Sequence, residues 1–426
     1  MSTRIDRRSF LWGGTAGLLL SQGLLPRTIL AADISAAEMK PWEKGFLDIH
    51  HISTGRGNSV LAICPDGTSI MIDAGSVRGP LEPMGPARPN DSRRPGEWIG
   101  RYALHHLRTA PRQELDYFVL THFHGDHMGD IFPESPRSKQ GDYRLTGVTD
   151  VAEILPIRRL IDRGFPNYSY PEPATYDAAL NYINFARFAS RHGTKVEQLQ
   201  VGSSTQIALQ HDASILPPVT IQNLAANGDI WTGHGTDTVS LFPKPEALKH
   251  QELPTENACS IALRLSFGAF RYYIGGDLTC DTRFGTAPWM DVESPVSRVA
   301  GPTTVSALDH HGYYDGTGTQ FVKNMRSRIY VLQSWHASHP ALSVLDELYS
   351  PILSAGQHDV LSTGLVEAAS LADARLSNKM LSQHGHVVIR AYADRETFEV
   401  FVLDDSREQG SVTGSWGPFP SAPIGP

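Results

Sequence analysis

The sequence predicts an α/β protein, and two observations support this class. Short apolar runs with the spacing of β-strands recur from Phe46 to Leu403, and segments with helical spacing stand between them. Turn sequences such as Pro65-Asp-Gly separate neighbouring strands. Strands that alternate with helices along the whole chain are typical of α/β folds. With 426 residues, 40% of them hydrophobic, the chain can also bury a substantial core.

The individual elements are predicted from apolar periodicity and from the turn residues between them. Two β-hairpins stand out, because a Pro-Asp-Gly turn and a Gly-Ala turn each join two β-branched or aromatic runs. In chain order we predict strands at 46–52, 58–64, 69–75, 115–121, 205–209, 219–224, 258–265, 271–274, 303–308, 386–392 and 397–403, and helices at 97–108 and 174–191.

The first 32 residues differ in composition from the rest of the chain. Arg7 and Arg8 precede an apolar, glycine-interrupted stretch at 12–25, and small residues follow it. This layout is typical of a twin-arginine export signal, and the apolar stretch is shorter than the ~20 residues that a membrane-spanning helix needs. We therefore predict that the twin-arginine translocation machinery recognises residues 1–32, and that the mature protein is periplasmic or secreted without a stable membrane anchor. An uncleaved N-terminal anchor and a basic N-terminus that arises by chance are the alternatives.

The remaining chain is interpreted as one domain at 41–405. A poorly patterned stretch at about 131–256 is interpreted as a long insertion in it, and the Gly-, Pro- and Ser-rich residues 406–426 as a loosely attached tail. The formal net charge of −8 argues against a nucleic-acid substrate, since proteins that bind one usually carry a basic patch. The three cysteines are too few for a disulfide framework, and Cys64 and Cys259 lie in apolar runs that predict buried thiols.

A dense group of possible metal ligands follows directly on the strand predicted at 115–121. His122, His124, Asp126 and His127 fall within the six residues His122-Phe-His-Gly-Asp-His127. A single histidine beside a buried strand is usually a structural residue, but packing does not explain four ligand-type side chains at this spacing. Imidazole and carboxylate groups are ligands that Zn²⁺ and neighbouring transition metals favour. The motif therefore predicts a metal site.

Two later strand ends carry residues of the same types. Asp277 follows the strand at 271–274, and His310 and His311 follow the strand at 303–308. Loops at the carboxyl ends of strands in an α/β sheet are free to converge on one point, and the glycines beside each group allow tight turns there. The combined set is large enough for two metal ions, each with three or more protein ligands and an open position.

These motifs resemble the metallo-β-lactamase superfamily. The resemblance lies in His122-Phe-His-Gly-Asp-His127, in the strand end Gly-Gly-Asp277 and in the later histidine pair. Three segments are similar to one branch, the competence-protein (ComEC-like) hydrolase domains and the related phosphorylcholine esterases: Gly55-Arg-Gly-Asn58, Tyr273-Ile-Gly-Gly-Asp277 and His310-His-Gly312. The resemblance covers residues 45–315 and the closing hairpin, and it implies a four-layer αββα sandwich.

The resemblance also implies a ligand set for two divalent metal ions, with zinc expected and manganese or iron as alternatives. The expected ligands come from the first motif, the later aspartate and the histidine pair: His122, His124, Asp126, His127, Asp277, His310 and His311. His122 and His124 would hold the first ion. Asp126 and His127 would hold the second, and Asp277 would bridge both. His310 or His311 would complete the set.

The first ion of such a site usually has a further histidine ligand. His234 is the best-placed candidate for it, and three weaker candidates are more typical of surface histidines: His192, His211 and His250. Asp73, at the end of an early strand, is interpreted as a residue that orients a ligand or holds its own turn rather than as a ligand.

The reaction implied by the resemblance is a hydrolysis. A hydroxide that bridges the two ions would be the nucleophile, and the catalytic aspartates would be Asp277, which fixes the ions, and Asp126, which orients the nucleophile and protonates the leaving group. The branch favours a phosphoester or phosphodiester substrate. His124 and Tyr313 stand where the branch often has a carboxylate and a serine, so a lactone, a β-lactam or another carboxylic ester or amide is the alternative. The intact ligand set argues against a non-catalytic or redox metal protein.

Overall fold

The apolar segments form two β-sheets and ten α-helices in the computed structural model, which describes residues 38–79, 81–353 and 358–424. The strands are β1 (Phe46–His51), β2 (Val60–Ile63), β3 (Ser69–Ile72), β4 (Leu115–Val119), β5 (Ile157–Asp162), β6 (Lys195–Gln198), β7 (Val219–Ala226), β8 (Asp229–Trp231), β9 (Thr238–Ser240), β10 (Ala262–Phe267), β11 (Phe270–Ile274), β12 (Val305–Ala307), β13 (Ile329–Leu332), β14 (Asp359–Ser362), β15 (His386–Tyr392), β16 (Thr397–Leu403) and β17 (Val412–Pro420). The helices are α1 (Leu81–Met84), α2 (Pro95–His106), α3 (Gly125–Met128), α4 (Gly147–Ile154), α5 (Asp177–Arg191), α6 (Glu293–Ala300), α7 (Thr319–Met325), α8 (Leu342–Leu348), α9 (Glu367–Ala372) and α10 (Ala374–Ser377).

Each sheet mixes parallel and antiparallel strand pairs. The first sheet has the order β17-β16-β15-β1-β2-β3-β4-β5-β6, and its strands from β3 to β6 run parallel. The second has the order β14-β13-β12-β11-β10-β7-β8-β9, and its strands from β11 to β14 run parallel. The hairpins β2–β3, β10–β11 and β15–β16 are antiparallel, as the sequence predicts.

The two sheets face each other, and helices cover both outer faces. The apolar core between the sheets includes Ile49 and Val119 from the first sheet and Ile274 and Val305 from the second. Burial of each such side chain contributes roughly 1.5–3 kcal/mol. Helices α2, α4 and α5 pack on the outer face of the first sheet, and α6, α7 and α8 on that of the second. The expected αββα sandwich is therefore confirmed.

The motifs that carry the possible metal ligands lie at strand ends where the two sheets meet. The backbone nitrogen of Ile261, just before β10, donates a hydrogen bond to the carbonyl oxygen of Thr121, just after β4, at 3.0 Å. A Cβ atom on Gly276, after β11, would lie 2.9 Å from the Thr121 side chain. The loops that follow β4 and β11 are therefore in direct contact.

Two segments differ from their predicted structure. Residues 406–426 are not a loosely attached tail throughout, because β17 pairs with β16 at the edge of the first sheet. Residues 131–256 contribute strands to both sheets, because β5 and β6 extend the first sheet and β7 pairs with β10 in the second. Of the two strands predicted in this stretch, the one at 219–224 lies within β7, whereas residues 205–209 form no strand.

The predicted export signal at 1–32 lies outside the described residues. Within the part of the chain that the structure describes, no helix has the length and hydropathy needed to cross a bilayer. Cys64 and Cys259 are buried free thiols, as predicted, and Cys280 is partly buried.

Candidate metal centre

The histidine motif occupies the turn that follows β4. Asp126 and His127 lie in the short helix α3, and His124 immediately precedes its first residue. The carbonyl oxygen of Asp126 accepts a hydrogen bond from the backbone nitrogen of Asn58 at 2.8 Å. A Cβ atom on Gly57 or Gly75 would lie only 2.4 or 2.0 Å from that oxygen. The two loops can therefore come this close to the motif only because they have glycine at these positions.

Two groups of ligand-type side chains meet at one shared aspartate. We call them the first cluster (His122, His124 and Asp277) and the second cluster (Asp126, His127, Asp277 and His311). Within each cluster one ligand atom per residue lies within 4.8 Å of all the others. The structure thus brings together every predicted ligand except His310.

In the first cluster two imidazole nitrogens face each other. His122 Nε2 lies 3.1 Å from His124 Nδ1 and 3.7 Å from Asp277 Oδ2. The other nitrogen of His122, Nδ1, lies 3.1 Å from Thr121 Oγ1, which leaves Nε2 available to a cation. Nitrogen lone pairs that converge beside a carboxylate match the donors that Zn²⁺ binds.

The second cluster alternates carboxylates with imidazoles. His311 Nε2 lies 2.9 Å from Asp126 Oδ2 and 3.4 Å from Asp277 Oδ2. His127 Nε2 lies 3.1 Å from Asp277 Oδ1, yet both atoms are buried and neither makes a hydrogen bond of acceptable geometry. A buried polar atom without a partner costs about 1–3 kcal/mol, and such atoms are rare. A divalent cation would satisfy both atoms, so the residues present fit a metal ion.

The two histidines of the second cluster each make a hydrogen bond through Nδ1, the ring nitrogen that faces away from the cluster. His127 Nδ1 donates to Asp73 Oδ2 at 2.7 Å, and Asp73 Oδ1 accepts from the backbone nitrogen of Thr121 at 2.8 Å. His311 Nδ1 donates to the carbonyl oxygen of Gln333 at 3.1 Å. Both rings therefore present Nε2 to the cluster. A bond of this kind on the far nitrogen fixes the tautomer and orientation of a histidine ring, so Asp73 orients the ring of His127.

His310 lies beside Asp277 but belongs to neither cluster, because other side chains bind both of its ring nitrogens. Its Nδ1 lies 2.5 Å from Asp315 Oδ1, and its Nε2 lies 3.1 Å from Asn257 Nδ2 and 3.8 Å from Asp277 Oδ2. His310 and His311 have left-handed backbone conformations, with φ of 46° and 53°. The alternation of faces along a strand therefore does not continue through this pair. The structure distinguishes the two histidines: His311 is a ligand candidate, and His310 forms a side wall.

Charges within the centre separate its histidines into two kinds. Burial, together with the neighbouring His127, lowers the pKa of His122 well below its ordinary value, so this ring is neutral. Burial also acts against protonation of His127 and His311, but Asp277 and the other carboxylates outweigh it. They raise the pKa of His127 well above its ordinary value and that of His311 to about 9. Without a cation, imidazolium–carboxylate pairs therefore hold the second cluster together.

One side of the centre is open to solvent. Its floor consists of four residues that are 0–1% exposed: His122, His127, Asp277 and His311. By contrast, the side chains of Asp126 and His310 are each 15% exposed. The ring of Tyr313 lies 5.1 Å from that of His310, and the neighbouring Tyr314 is 62% exposed. The rings of Tyr313 and Tyr314 and the carboxylate of Asp126 therefore lie on the exposed side of the centre.

Replacing Asp73 by asparagine is expected to weaken cation binding at the second cluster by about 10- to 100-fold, because the His127 ring loses the carboxylate that fixes its tautomer. A competition titration against a chromophoric chelator measures this affinity. Asp116→Asn is the matched control, since Asp116 is also buried, accepts from a backbone nitrogen and lies 3.1 Å from His211 Nε2. Equal affinities of the two variants would contradict the role given to Asp73.

The further histidine considered for the first ion is not near the first cluster among the described residues. His234 lies on the exposed turn between β8 and β9. The three weaker candidates have other partners: His192 stacks on Phe188, His211 contacts Asp116 and His250 contacts Glu172. The first cluster therefore offers three protein ligands, and the second offers four.

Two residues near the centre were not singled out from the sequence. Asp315 binds His310, and the indole of Trp335 lies 5.7 Å from the ring of His311. The only sequence signal for Asp315 is its position shortly after the histidine pair, and no motif marks Trp335. His339, whose ring stacks on His311 at 4.7 Å, also belongs to this wall.

Comparison with solved structures finds similar chains at low sequence identity. A suspected metal-dependent hydrolase from Parabacteroides distasonis ATCC 8503 is 16% identical, over 74% of this chain and 92% of that chain, with a TM-score of 0.34. Zn²⁺-bound PqqB from Methylobacterium extorquens is 10% identical, over 78% of this chain and 86% of that chain, with a TM-score of 0.33. A protein of unknown function from Enterococcus faecalis V583 is 9% identical, over 80% of this chain and 76% of that chain, with a TM-score of 0.26.

No protein-family model matches the chain, and no curated protein matches it at a comparable level of significance. The three structural similarities have TM-scores below 0.5 and are too weak to support a conclusion about this protein. The fold therefore rests on the sheets and helices described above, and the site rests on its own geometry.

Proposed function

We propose that this protein is a hydrolase of the metallo-β-lactamase superfamily that uses two divalent cations to cleave a phosphoester or phosphodiester. The observation that carries the proposal is the membership of Asp277 in both ligand clusters. A carboxylate that serves two cations holds them close together, as two-metal hydrolysis requires. The αββα sandwich and the sequence motifs support the same superfamily.

The two clusters divide the ligands between the cations. One cation would bind His122, His124 and Asp277, and the other would bind Asp126, His127, Asp277 and His311. When bound, two such cations lower the pKa of a water molecule towards neutrality and neutralise the charge that develops on the substrate. Nitrogen and carboxylate donors favour zinc, with manganese or iron as alternatives.

The contribution of the chain itself is to orient these groups and to exclude bulk water. Asp73 and the carbonyl of Gln333 fix the rings of His127 and His311 on the buried floor. Asp126 is the carboxylate of the two clusters that reaches solvent, and its Oδ2 is engaged by His311 at 2.9 Å. Its Oδ1 is therefore the oxygen available to orient a water molecule and to pass a proton to the leaving group.

The choice of substrate class depends on the sequence resemblance and on charge. The ComEC-like and phosphorylcholine-esterase branch favours a phosphorus centre. The net charge of −8 favours a small substrate over polymeric nucleic acid, whose phosphates need many basic contacts. A lactone, a β-lactam or another carboxylic ester or amide is the alternative for the same site.

Metal analysis and a substrate screen test the proposal together. The screen contains bis-p-nitrophenyl phosphate, p-nitrophenyl phosphorylcholine, a lactone and a chromogenic cephalosporin. We expect two equivalents of cation per chain, one for each cluster, and turnover of a phosphoester. Turnover of the lactone or cephalosporin alone would favour the alternative. Failure to retain any cation after loading would reject the two-cation site itself.

A further inference from the structure

The turn that carries His122 and His124 is fixed by residues to which neither the motifs nor the proposed chemistry assigns a role. Phe123 lies between the two histidines, and side chains bind both of its backbone polar groups. Its nitrogen donates to Glu256 Oε1 at 2.7 Å, and its carbonyl oxygen accepts from the hydroxyl of Tyr176. The peptide groups on either side of Phe123 are therefore held against rotation.

Arg163 completes this arrangement. Its Nε donates to Glu256 Oε1 at 2.7 Å, and its Nη2 pairs with Oε2 of the same carboxylate. The guanidinium also lies 4.4 Å from the centre of the Phe123 ring. Its Nη1 donates to the carbonyl of Tyr170 at 2.8 Å. A bidentate pair of this kind is geometrically specific, and burial of the Arg163 side chain to 3% exposure leaves it little freedom.

We propose that Arg163, Tyr176 and Glu256, which we call the Phe123 clamp, position the two histidines of the first cluster and thereby set its cation affinity. The inference rests on the proposed two-cation site. Only one residue separates His122 from His124, so rotation of the backbone at Phe123 would move both rings. The clamp therefore fixes the distance between two of the three ligands in this cluster.

The first cluster needs such support more than the second. His127 and His311 are each oriented through their far nitrogens by Asp73 and by the carbonyl of Gln333. The imidazole ring of His124 makes no hydrogen bond with a described residue besides the one to His122, whereas its carbonyl oxygen accepts from the backbone nitrogens of His127 and Met128 at 3.0 and 2.9 Å. The orientation of this ring therefore depends on the backbone, which α3 holds on one side of His124 and the clamp holds on the other, at Phe123.

Charge neutrality is the second property of the clamp. A buried arginine beside a cation site would repel the cation, but Glu256 neutralises Arg163 and takes the hydrogen bond from Phe123 as well. Glu256→Gln keeps the size of the side chain, yet it leaves the guanidinium without its counter-charge next to the cluster. Both the loss of order and the added repulsion lower cation affinity at the same place.

The experiment compares Glu256→Gln with Glu197→Gln in Co²⁺ titrations of the full chain, followed by visible absorption. Glu197 is a matched control, because it also pairs with an arginine, Arg159, at 2.7 Å, and its side chain is 17% exposed against 18% for Glu256. In the wild type and in E197Q we expect two cations to bind. In E256Q we expect one cation to bind normally and the other about 10- to 100-fold more weakly.

Tyr176→Phe is the second variant, since it removes only the hydroxyl that binds the Phe123 carbonyl, and it serves if E256Q does not fold. We expect Tyr176→Phe to lower the affinity for the same cation several-fold. The stability of the cation-free protein against unfolding is expected to stay unchanged. If E256Q or Y176F binds two Co²⁺ ions with the same affinities as E197Q, the proposed role of the clamp is wrong. A wild-type chain that binds no Co²⁺ would reject the proposed function and the clamp with it. A loaded wild type with unaffected variants would reject the clamp alone.

Discussion

Asp277→Ala is expected to empty both clusters and to lower hydrolysis on the order of 10³-fold, which corresponds to roughly 4 kcal/mol of transition-state stabilisation. Asp277 is the ligand common to the two clusters, so its loss leaves the first with two protein ligands and the second with three. The protonated rings of His127 and His311 also lose their principal counter-charge. Elemental analysis of dialysed protein and kcat/KM on the substrate found in the screen measure the two effects.

Asp281→Ala is the control for this variant. Asp281 is exposed, follows Asp277 closely in the chain and accepts a hydrogen bond from the backbone nitrogen of Arg283 at 2.8 Å. We expect it to retain both cations and its activity. An Asp277→Ala protein that is folded and still holds two cations would show that the shared aspartate is not a ligand.

Cation affinity at the second cluster is expected to rise with pH by about 100-fold per unit between pH 6 and 8. Without a cation, His311 has a pKa of about 9 and that of His127 is raised well above its ordinary value, so both rings are protonated in this range. A cation binds only neutral imidazole, so each of two rings must release a proton, and each proton contributes a factor of ten per unit. Acidification therefore favours the cation-free form. Competition titrations at several pH values, corrected for the chelator, give the slope.

The first cluster is an internal control for that experiment. His122 is already neutral without a cation, because burial and His127 lower its pKa. Binding at the first cluster is therefore expected to depend far less on pH than binding at the second. Two cations with the same shallow pH dependence would contradict the charge distribution described here.

The central elements of the fold could be predicted because their residues follow a single period. The strands β15 and β16 have the predicted bounds, since each is a run of apolar and alternating residues that ends at a turn. β17 could not be predicted in this way, because its sequence contains Gly414, Gly417, Pro418 and Pro420. Proline and glycine are tolerated there because β17 is the last strand of the first sheet, with no further strand beside it among the described residues.

Few elements of the stretch at 131–256 could be predicted, for a related reason. β6 has the polar sequence Lys195–Gln198 at the other edge of the first sheet, where charged residues are common and no apolar pattern is required. The side chains that hold Phe123 come from this stretch, and they are single residues far apart in the chain. Their contacts arise only when β5 and α5 pack behind the motif, so no local spacing could reveal them.

The residues of the candidate site could be predicted more completely than the secondary structure around it. His122, His124, Asp126 and His127 form a compact motif, and Asp277 is marked by its glycines at a strand end. The choice between His310 and His311 could not be made from the sequence, because it depends on two consecutive left-handed residues that end the alternation of the strand. Backbone reversal of this kind is decided by tertiary packing rather than by residue type.

Because the ligand-type residues come from both sheets, cation binding is linked to the folding of the chain. The histidine motif follows β4 of the first sheet, whereas Asp277 and His311 follow β11 and β12 of the second. A cation held by both sets is a cross-link between the halves of the sandwich, in addition to the apolar side chains that join them. Neither sheet alone carries a complete ligand set, so a full complement of cations marks a molecule in which the two sheets have already docked.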